Sequence, residues 1–286
     1  MKKVRIGKKE FAWGTKTYLM GIVNVTPDSF SGDGHGDWDS AVAHGLALAE
    51  EGADILDIGG ESTRPTATPV SLEDELARVI PVIRRLAKET DVPISVDTYK
   101  AEVARQAIGA GARMVNDVWG LTMDADMARV VAEAKVPAVL MHNRSAPKNA
   151  EQEEKLGGRF VGVTYGDLIA DVKKGLKESV RLAHEAGVED EHIILDPGIG
   201  FGKTVEQSME LVRRFHEFCD LEYPLLAGPS RKSFVGYTLK LPVEERLEGT
   251  LAAAALLIDR SADILRVHDV KEVRRAAALA DAVVRP

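Results

Sequence analysis

The sequence contains a single cysteine, Cys219, among its 286 residues. An internal disulfide is therefore excluded, and no cluster of cysteines is available to bind zinc. Long apolar runs are missing as well, because no stretch approaches the roughly 18 consecutive apolar residues of a membrane span. The N-terminal segment MKKVRIGKKE is charged and is not followed by an uninterrupted apolar segment. These absences favour a reducing compartment, and we expect a cytoplasmic protein without a membrane partner.

Basic residues are also in deficit, with 37 Lys and Arg against 45 Asp and Glu and a formal net charge of -8. They are dispersed along the chain without a run that could follow a phosphate backbone, so we expect no nucleic-acid partner. What the chain does contain is 45% hydrophobic and 29% charged residues, a composition that suits one buried core. We therefore expect a single domain that spans residues 1–286.

Short apolar runs recur along the chain, each followed by a segment with helical periodicity, which is typical of parallel strands that alternate with helices. Eight strands are predicted, at Leu19–Val23, Ile55–Ile58, Ile94–Val96, Met114–Val115, Ala138–Met141, Ile193–Leu195, Leu225–Ala227 and Ile264–Val267. This number of units in a chain of this length predicts an α/β fold, a single (β/α)8 barrel of the TIM-barrel type, for which about 250 residues is typical. A doubly wound open sheet is the alternative.

Three other segments carry structural predictions. Residues Val4–Ile6 and Phe11–Trp13 predict an N-terminal β-hairpin, within residues 1–16, that closes the bottom of the barrel. Residues 71–90 predict a helix that is capped at its start and distorted at Pro81. Residues 143–162 are polar and too many for an ordinary connection, so they predict an extended loop on the catalytic side.

Polar residues follow nearly every predicted strand, and in a barrel of parallel strands these positions converge on the one rim where active sites of the fold lie. In chain order they are Asn24, Asp28, Asp57, Glu61, Ser62, Thr63, Arg64, Asp97, Asn116, Asp117, His142, Asn143, Asp196, Ser230, Arg231, Lys232, Ser233, Arg266 and His268. Three of them could accept the N–H donors of a flat, guanidine-like ring edge such as that of a purine or pterin, namely Asp97, Asn116 and Asp196. Others could hold an oxyanion, helped by backbone N–H groups if a helix starts near Lys232 or Ser233, and these are Asn24, Arg64, Arg266, His268 and the Ser/Lys cluster.

Structural roles are the alternative for several of these residues. A strand-end aspartate often caps the next helix or anchors a loop, and this interpretation fits Asp117 and Asp28 best. His142 fits a buried structural histidine, whereas His268 gains from its neighbour Arg266 as a ligand-binding candidate. The glycines of GIGFG could serve tight turns alone.

In order and spacing, eight segments resemble the dihydropteroate synthase family: GIVNVTPDSFS, LDIGGESTRP, ISVDTYK, VND, LMHNR, LDPGIGFGK, SRKSF and RVHDV. The resemblance extends along almost the whole chain, and the first, second, sixth and eighth segments are long and specific. It implies a transferase of folate biosynthesis that condenses 6-hydroxymethyl-7,8-dihydropterin diphosphate with 4-aminobenzoate and releases pyrophosphate. It also implies a magnesium cofactor, a homodimer and competition by sulfonamides, which mimic aminobenzoate.

The resemblance also assigns residues to sub-sites. It implies a pterin pocket formed by Asp97, Asn116, Val118, Met141, Asp196, Gly200, Phe201 and Lys232. It implies a diphosphate site formed by Asn24, Thr63, Arg64, Arg266 and His268, with Mg2+ at Asn24. It implies an aminobenzoate site formed by Phe30, Ser62, Thr63, Pro65, Phe201 and Ser233. The residues expected to act in catalysis are Asp97, Lys232, Arg266 and His268.

The implied reaction is a dissociative, SN1-like displacement, because the conjugated ring can delocalise positive charge left on its exocyclic CH2. Cationic Arg64, Arg266 and Mg2+ would stabilise the departing pyrophosphate, and Asp97 and Asp196 would stabilise the cationic ring. An aromatic amine is already unprotonated at neutral pH, so its attack would need no strong base. The first two loops would close to exclude water from the cation.

Three positions depart from the family pattern. The first loop reads SFSGDG where SFSDGG is common, which moves the loop aspartate by one place to Asp33. Thr66 replaces a common glycine after STRP, and Pro229 precedes SRK. Neither of these two changes removes a group expected to contact substrate.

Two rival functions stay open. Corrinoid-dependent methyltransferases of the same superfamily also bind a folate-type pterin in a barrel, but they would not need a diphosphate site, so STRP, SRK, Arg266 and His268 favour the synthase. A non-catalytic relative that only binds pterin or acts as a dimer partner is the second rival. The intact set of site residues argues against it, and the displaced Asp33 argues for it.

Overall fold

A computed structural model describes residues 3–25, 36–62 and 67–285, and parallel strands form its central eight-stranded sheet. These strands are β3 (Tyr18–Asn24), β4 (Ile55–Gly59), β5 (Ile94–Asp97), β6 (Met114–Asp117), β7 (Ala138–Met141), β10 (Ile193–Asp196), β11 (Leu226–Ala227) and β12 (Ile264–Val267). Their order in the sheet is β10-β7-β6-β5-β4-β3-β12-β11. All eight predicted strands are confirmed, with small differences at their ends.

Helices follow the strands and cover the outside of the sheet. They are α1 (Gly36–Glu50), α2 (Leu72–Glu89), α3 (Ala101–Ala110), α4 (Met127–Ala134), α5 (Leu168–Glu185), α6 (Val205–Arg213), α7 (Ser233–Leu239), α8 (Leu247–Asp259) and α9 (Val270–Val284). Within the described ranges, none of the helices combines the length and the apolar character needed to cross a membrane.

The sheet closes into a barrel between β10 and β11. Leu195 and Leu225 form a parallel bridge, and the N–H of Leu195 donates to the carbonyl oxygen of Pro224 at 2.9 Å. This bridge confirms the predicted (β/α)8 barrel and excludes the open sheet. Because every strand runs the same way around a closed barrel, the residues after the strands all lie at one rim.

Side chains along each strand point alternately to the outside and the inside of the barrel. The outward residues, such as Leu56, Ile58 and Val96, belong to the large apolar core that the strands share with the helices. The inward residues near the start of the strands, such as Ile55 and Met114, belong to a second core inside the barrel. A slip of one residue in any strand would exchange the two sets, which strongly specifies the register.

The N-terminal hairpin covers the bottom of the barrel. Its strands are β1 (Lys3–Ile6) and β2 (Lys9–Ala12), which pair antiparallel. Val4, Ile6 and Phe11 belong to the core inside the barrel, each at most 4% exposed. The predicted hairpin is therefore confirmed, and its apolar side chains fill the barrel at the end opposite the rim.

Helix α2 begins as its sequence predicts. The side chain of Ser71 accepts the backbone N–H of Asp74 at 3.1 Å, which satisfies a donor of the first helical turn. The helix then continues through Pro81 to Glu89. Proline removes one helical hydrogen bond and its ring crowds the carbonyl of the residue four positions earlier, and the buried apolar face of this long helix offsets that local cost.

The predicted extended loop at residues 143–162 is wrong for its second half. There the chain forms a short antiparallel hairpin of β8 (Ala150–Glu153) and β9 (Gly157–Phe160). Arg246 donates to the carbonyl oxygen of Leu156 at 2.8 Å, and the hydroxyl of Tyr237 donates to that of Gly157 at 3.0 Å. Both donors lie far away in the sequence, so the local pattern could not reveal the hairpin.

Candidate active site

A half-buried arginine lies between two buried aspartates inside the barrel. Arg266 of β12 donates from Nε to Oδ2 of Asp57 and from Nη2 to Oδ2 of Asp97, both at 2.6 Å. Asp57 of β4 is 0% exposed and Asp97 of β5 is 8% exposed. The planar fork of a guanidinium suits two acceptors at once, which a single ammonium would serve less well. Opposite charges from three strands therefore meet in one desolvated layer.

Asn116 of β6 completes this layer. It is the register neighbour of Asp97, and its Nδ2 donates to Oδ2 of Asp57 at 2.9 Å. The other oxygen of Asp57, Oδ1, is buried and accepts no hydrogen bond from the described residues. One carboxylate oxygen of Asp57 thus holds both Asn116 and Arg266, and four strands become connected through side chains.

Opposing effects act on the pKa of Asp97. Burial raises the pKa of Asp97 to about 7, Arg266 opposes the rise, and Asp57, Glu75 and Asp117 add to it. A carboxyl group that titrates near neutral pH is common at functional sites, because such sites combine burial with nearby charges. A ligand that offers N–H donors or positive charge to Asp97 would favour the ionised form.

Lys232, in the turn after β11, adds positive charge to the barrel mouth, the region inside the rim where Asp97, Asn116 and Arg266 lie. Its Nζ donates to the carbonyl oxygen of Ile199 at 2.7 Å and lies 3.9 Å from the centroid of the Phe201 ring. Burial lowers the pKa of Lys232 to about 7, and the negative charge of Asp196 opposes this. Two residues predicted to bind substrate, Lys232 and Phe201, therefore lie in contact.

Asp196 stands at the end of β10, where the Gly-rich loop begins. Its Oδ1 accepts the N–H of Gly198 at 2.7 Å; burial raises the pKa of Asp196, and this hydrogen bond opposes the rise. Gly198 has φ +73, and a Cβ there would lie 2.0 Å from the carbonyl oxygen of His142. Gly200 has φ +81, and a Cβ there would lie 2.9 Å from Cδ of Lys232. These glycines serve turns and close approaches, as the structural interpretation expects.

His142 is buried against a lysine that the sequence analysis did not select. Nζ of Lys203 lies 3.1 Å from Nδ1 of His142 and donates to the backbone carbonyl oxygen of Phe201 at 2.9 Å. Burial lowers the pKa of His142 to about 2, and Lys203 adds to the effect. The imidazole is therefore neutral, and its contacts favour a structural role in which Lys203 ties the loop of Phe201 to the end of β7.

The turn that carries Lys232 is clamped by helix α8. Arg231 has φ 55, a left-handed conformation that is costly for a residue other than glycine. Its N–H donates to Oγ1 of Thr250 at 3.0 Å, and its carbonyl oxygen accepts from Nη1 of Arg246 at 2.9 Å. Helix α7 begins next, at Ser233, so the predicted helix start is confirmed.

The other described candidates also lie at or below this rim. His268 is paired with Ser230, whose Oγ lies 3.0 Å from Nδ1 of the ring. Asp117 accepts the N–H groups of Trp119 and Leu121, both at 2.8 Å, which confirms it as a loop anchor.

The remaining predicted residues divide into described and undescribed ones. Val118 and Met141 are buried, Ser62 is half-buried at the edge of a described segment, and Asn24 is half-buried at the end of β3. The predictions that fall outside the described residues are Asp28, Phe30, Asp33, Thr63, Arg64, Pro65 and Thr66.

Asp57 is the site residue that the sequence analysis missed. It was noted after the second strand but given no role, although β4 reads ILDIG. Because Leu56 and Ile58 face outward, the residue between them faces inward, and a charge buried there needs a partner. Arg266 is that partner, so a residue assigned to the oxyanion group contacts the acidic group instead.

Asn24 offers an amide oxygen at the rim, where the family resemblance implies a magnesium ion. Among the described residues, no group of three or more His, Cys, Asp or Glu side chains could hold a metal ion. Asn24 ends β3 beside Gly59 of β4. Mg2+ prefers oxygen ligands and commonly takes one or two from the protein, with water and substrate phosphates completing the shell. A single amide oxygen at the rim fits that requirement.

Comparisons with known proteins agree with this geometry. Residues 20–268 match the model of a family described as pterin binding enzyme. Dihydropteroate synthase of Clostridium beijerinckii is 50% identical over 284 residues, which cover 99% of this chain and 100% of that protein. The crystal structure of dihydropteroate synthase from Clostridium difficile in the presence of pteroic acid is similar with a TM-score of 0.89, at 46% identity and with 96% and 100% of the two chains covered. Xanthomonas albilineans dihydropteroate synthase with 4-aminobenzoic acid gives a TM-score of 0.89, at 43% identity and with 100% and 99% covered.

Proposed function

We infer the reaction from the family: the chain belongs to the pterin-binding enzymes and, among them, to the dihydropteroate synthases. It joins 6-hydroxymethyl-7,8-dihydropterin diphosphate to 4-aminobenzoate, giving 7,8-dihydropteroate and pyrophosphate in folate biosynthesis. The C–O bond between the exocyclic CH2 and the diphosphate breaks, and the leaving pyrophosphate takes the electron pair. The amine nitrogen then forms a C–N bond to the same carbon and loses a proton.

The observation that carries this function is the meeting of opposite charges in a buried mouth. Asp97 lies 2.6 Å from Arg266 through its Oδ2, and the charge of Asp196 acts on Lys232. A reaction that separates a cationic ring from an anionic leaving group needs both signs of charge close together and shielded from water.

We propose that the acidic layer holds the pterin. Asp97, Asn116 and Asp196 would accept ring N–H groups, and Lys232 would donate to ring acceptors. Val118 and Met141, both buried, would pack on the ring, with Gly200 leaving room for Lys232. The two carboxylates would stabilise the positive charge that the ring acquires as the diphosphate departs.

The cationic groups would receive the leaving group. Arg266 lies in β12 and His268 directly follows this strand; Thr63 and Arg64, which are outside the described residues, are proposed to bind the diphosphate with them. When bound, Mg2+ would supply further positive charge to the pyrophosphate, held through the amide oxygen of Asn24. Chelation of divalent ions with EDTA is expected to reduce turnover, and added Mg2+ should restore it.

The second substrate would enter above the pterin. Phe201 lies beside Lys232 and would cover the aminobenzoate ring, while Ser62 and Ser233 would contact its polar ends. Phe30, Thr63 and Pro65, outside the described residues, would complete this sub-site. Water must be excluded here, because a pterin cation formed in the open would be captured as the alcohol.

We further propose that the chain is one domain and forms a homodimer in the cytoplasm. Apolar side chains are exposed on the outer helices α8 and α9: Leu256 at 47%, Leu279 at 70% and Val283 at 71%. Such side chains on neighbouring helices are typical of an interface between protein chains. A reducing compartment suits the single cysteine. Light scattering should give twice the mass of one chain. The double variant Leu279→Glu with Val283→Glu should give the mass of one chain.

A steady-state assay with both substrates tests the function. Pyrophosphate and 7,8-dihydropteroate should appear in equal amounts, and omission of either substrate should abolish both. A protein that only binds pterin would bind the first substrate and give no product. A corrinoid-dependent methyltransferase would instead transfer a methyl group from a methylated folate to a corrinoid, and such transfer without pyrophosphate release would refute the proposal.

A further inference from the structure

Asp57 holds two residues of the mouth without belonging to any predicted sub-site. Its Oδ2 accepts from Nε of Arg266 at 2.6 Å and from Nδ2 of Asn116 at 2.9 Å. The side chain is 0% exposed, and its Oδ1 is buried without a partner among the described residues. An apolar side chain would avoid the cost of burying this carboxylate, so its presence at this position calls for a role.

The carboxylate restricts the amide of Asn116 to one orientation. An amide has nearly the same shape when its oxygen and nitrogen are exchanged, so shape alone does not decide which end faces the ligand. An ionised carboxylate accepts hydrogen bonds and donates none. The Nδ2 end of Asn116 must therefore face Asp57, and the Oδ1 end is directed away from it.

The same oxygen also sets the guanidinium of Arg266. Because Nε is taken by Asp57, the terminal nitrogens point onward, and Nη2 reaches Asp97. The positions of hydrogen-bond donors and acceptors at the mouth thus depend on Asp57, which lies below them on β4.

We propose that Asp57 is a positioning residue that fixes the hydrogen-bonding pattern read by the pterin ring, by holding the amide of Asn116 and the guanidinium of Arg266 in single orientations. The proposal rests on the pterin-binding function inferred above. In this role, Asp57 makes the site select a ring edge that places an N–H donor opposite Oδ1 of Asn116.

Two variants of Asp57 test this mechanism. In Asp57→Leu, whose side chain has a similar branched shape, Nε of Arg266 and Nδ2 of Asn116 both lose their acceptor, so neither side chain is held in one orientation. In Asp57→Asn, the amide oxygen can take the place of Oδ2 and keep both hydrogen bonds, while the NH2 group takes the place of Oδ1, which accepts no hydrogen bond from the described residues.

Binding of 6-hydroxymethylpterin alone, measured by calorimetry, gives the direct readout. Asp57→Leu should weaken binding by at least about tenfold, and Asp57→Asn should bind within about threefold of the unmodified protein. Asn116→Asp should also be impaired, because it places two carboxylates face to face. Asp54→Leu is the matched control, with no change in binding expected: Asp54 directly precedes β4 and also accepts from an arginine, Arg274, but at the opposite end of the barrel.

A second readout separates positioning from a general loss of structure. In Asp57→Leu, the KM for aminobenzoate should change little while the KM for the pterin substrate rises. In Asp57→Asn, the pH optimum of kcat/KM for the pterin substrate should move to lower pH, because removal of one negative charge lowers the pKa of Asp97. The other charged groups that act on Asp97 are Arg266, Glu75, Asp117 and Lys232, and the variant leaves all of them in place.

Each outcome decides the matter. Binding by Asp57→Leu within about threefold of the unmodified protein, or binding by Asp57→Asn as weak as that by Asp57→Leu, would overturn the proposal. If Asp57→Leu does not fold, a loss of binding of at least about tenfold in Asp57→Asn would still overturn it, because this variant retains the acceptor for both donors. Loss of turnover in the unmodified protein with intact pterin binding would count against the proposed function and not against this role of Asp57.

Discussion

Removal of Arg266 should damage the mouth in a way that depends on pH. Its guanidinium, 18% exposed, contacts Asp57 and Asp97, which are 0% and 8% exposed. Truncation of one partner of a buried ion pair costs about 3–5 kcal/mol of unfolding free energy, because the other charges stay buried without compensation. For Arg266→Ala we therefore expect a large loss of stability and a fall in turnover of at least about tenfold, or about 1.4 kcal/mol.

The sign of the pH effect follows from the lost positive charge. Arg266 lowers the pKa of Asp97 and that of Lys232, so its removal raises both. Asp97 would then need a higher pH to ionise, and Lys232 would stay charged to a higher pH. The optimum of kcat/KM for the pterin substrate should therefore move to higher pH, and the deficit of the variant should be larger at about pH 7 than at about pH 9.

Arg274 provides a matched control for this prediction. It also pairs with a half-buried carboxylate, Asp54, and donates to the carbonyl oxygen of Gly52, but it lies at the opposite end of the barrel. Arg274→Ala should lose stability without any change in the pH profile. Steady-state kinetics across pH and thermal unfolding measure both effects. A deficit in Arg266→Ala that is constant with pH, or a profile that moves equally in Arg274→Ala, would refute the reasoning.

Three further outcomes are expected. Asp97→Asn and Lys232→Ala should each reduce turnover by at least about tenfold while circular dichroism shows an intact fold, and unaltered kinetics in both would contradict the site assignment. Gly198→Ala should lower the free energy of unfolding by about 2–5 kcal/mol in chemical denaturation, since its Cβ would meet the carbonyl oxygen of His142 in a left-handed conformation. A sulfonamide should compete with 4-aminobenzoate in initial-rate measurements, and Phe201→Ala should weaken both; purely non-competitive inhibition would place the drug elsewhere.

The fold could be predicted from the sequence where local and global signals agree. Each barrel strand is a short, mainly apolar run that ends in polar residues or is soon followed by them, and a segment with helical periodicity comes next. The hairpin of β8 and β9 lacked such agreement. Its strand residues are mostly polar or glycine, Phe160 alone among them is buried, and its fixed contacts come from Tyr237 and Arg246, far along the chain.

The site could be predicted as a set of strand-end residues, because parallel strands bring their ends to one rim. The contacts between these residues could not be predicted from the sequence. Spacing in the sequence placed Arg266 with the oxyanion group, whereas the barrel places its guanidinium against two aspartates. Which inward residues touch depends on strand register and side-chain reach, and both are properties of the closed barrel.

The net charge of the barrel mouth connects the pH predictions for the variants of Arg266 and Asp57. Asp57, Asp97 and Asp196 carry three negative charges when ionised, and Arg266 and Lys232 carry two positive ones, so the buried layer has an excess of one negative charge. In the free protein, burial is the main cause of the high pKa of Asp97, and neighbouring negative charges, including that of Asp57, add to it. A ring that gains positive charge as its diphosphate departs would cancel the excess at the moment of reaction. Arg266→Ala enlarges the excess and Asp57→Asn removes it, which is why the two variants should move the pH optimum in opposite directions.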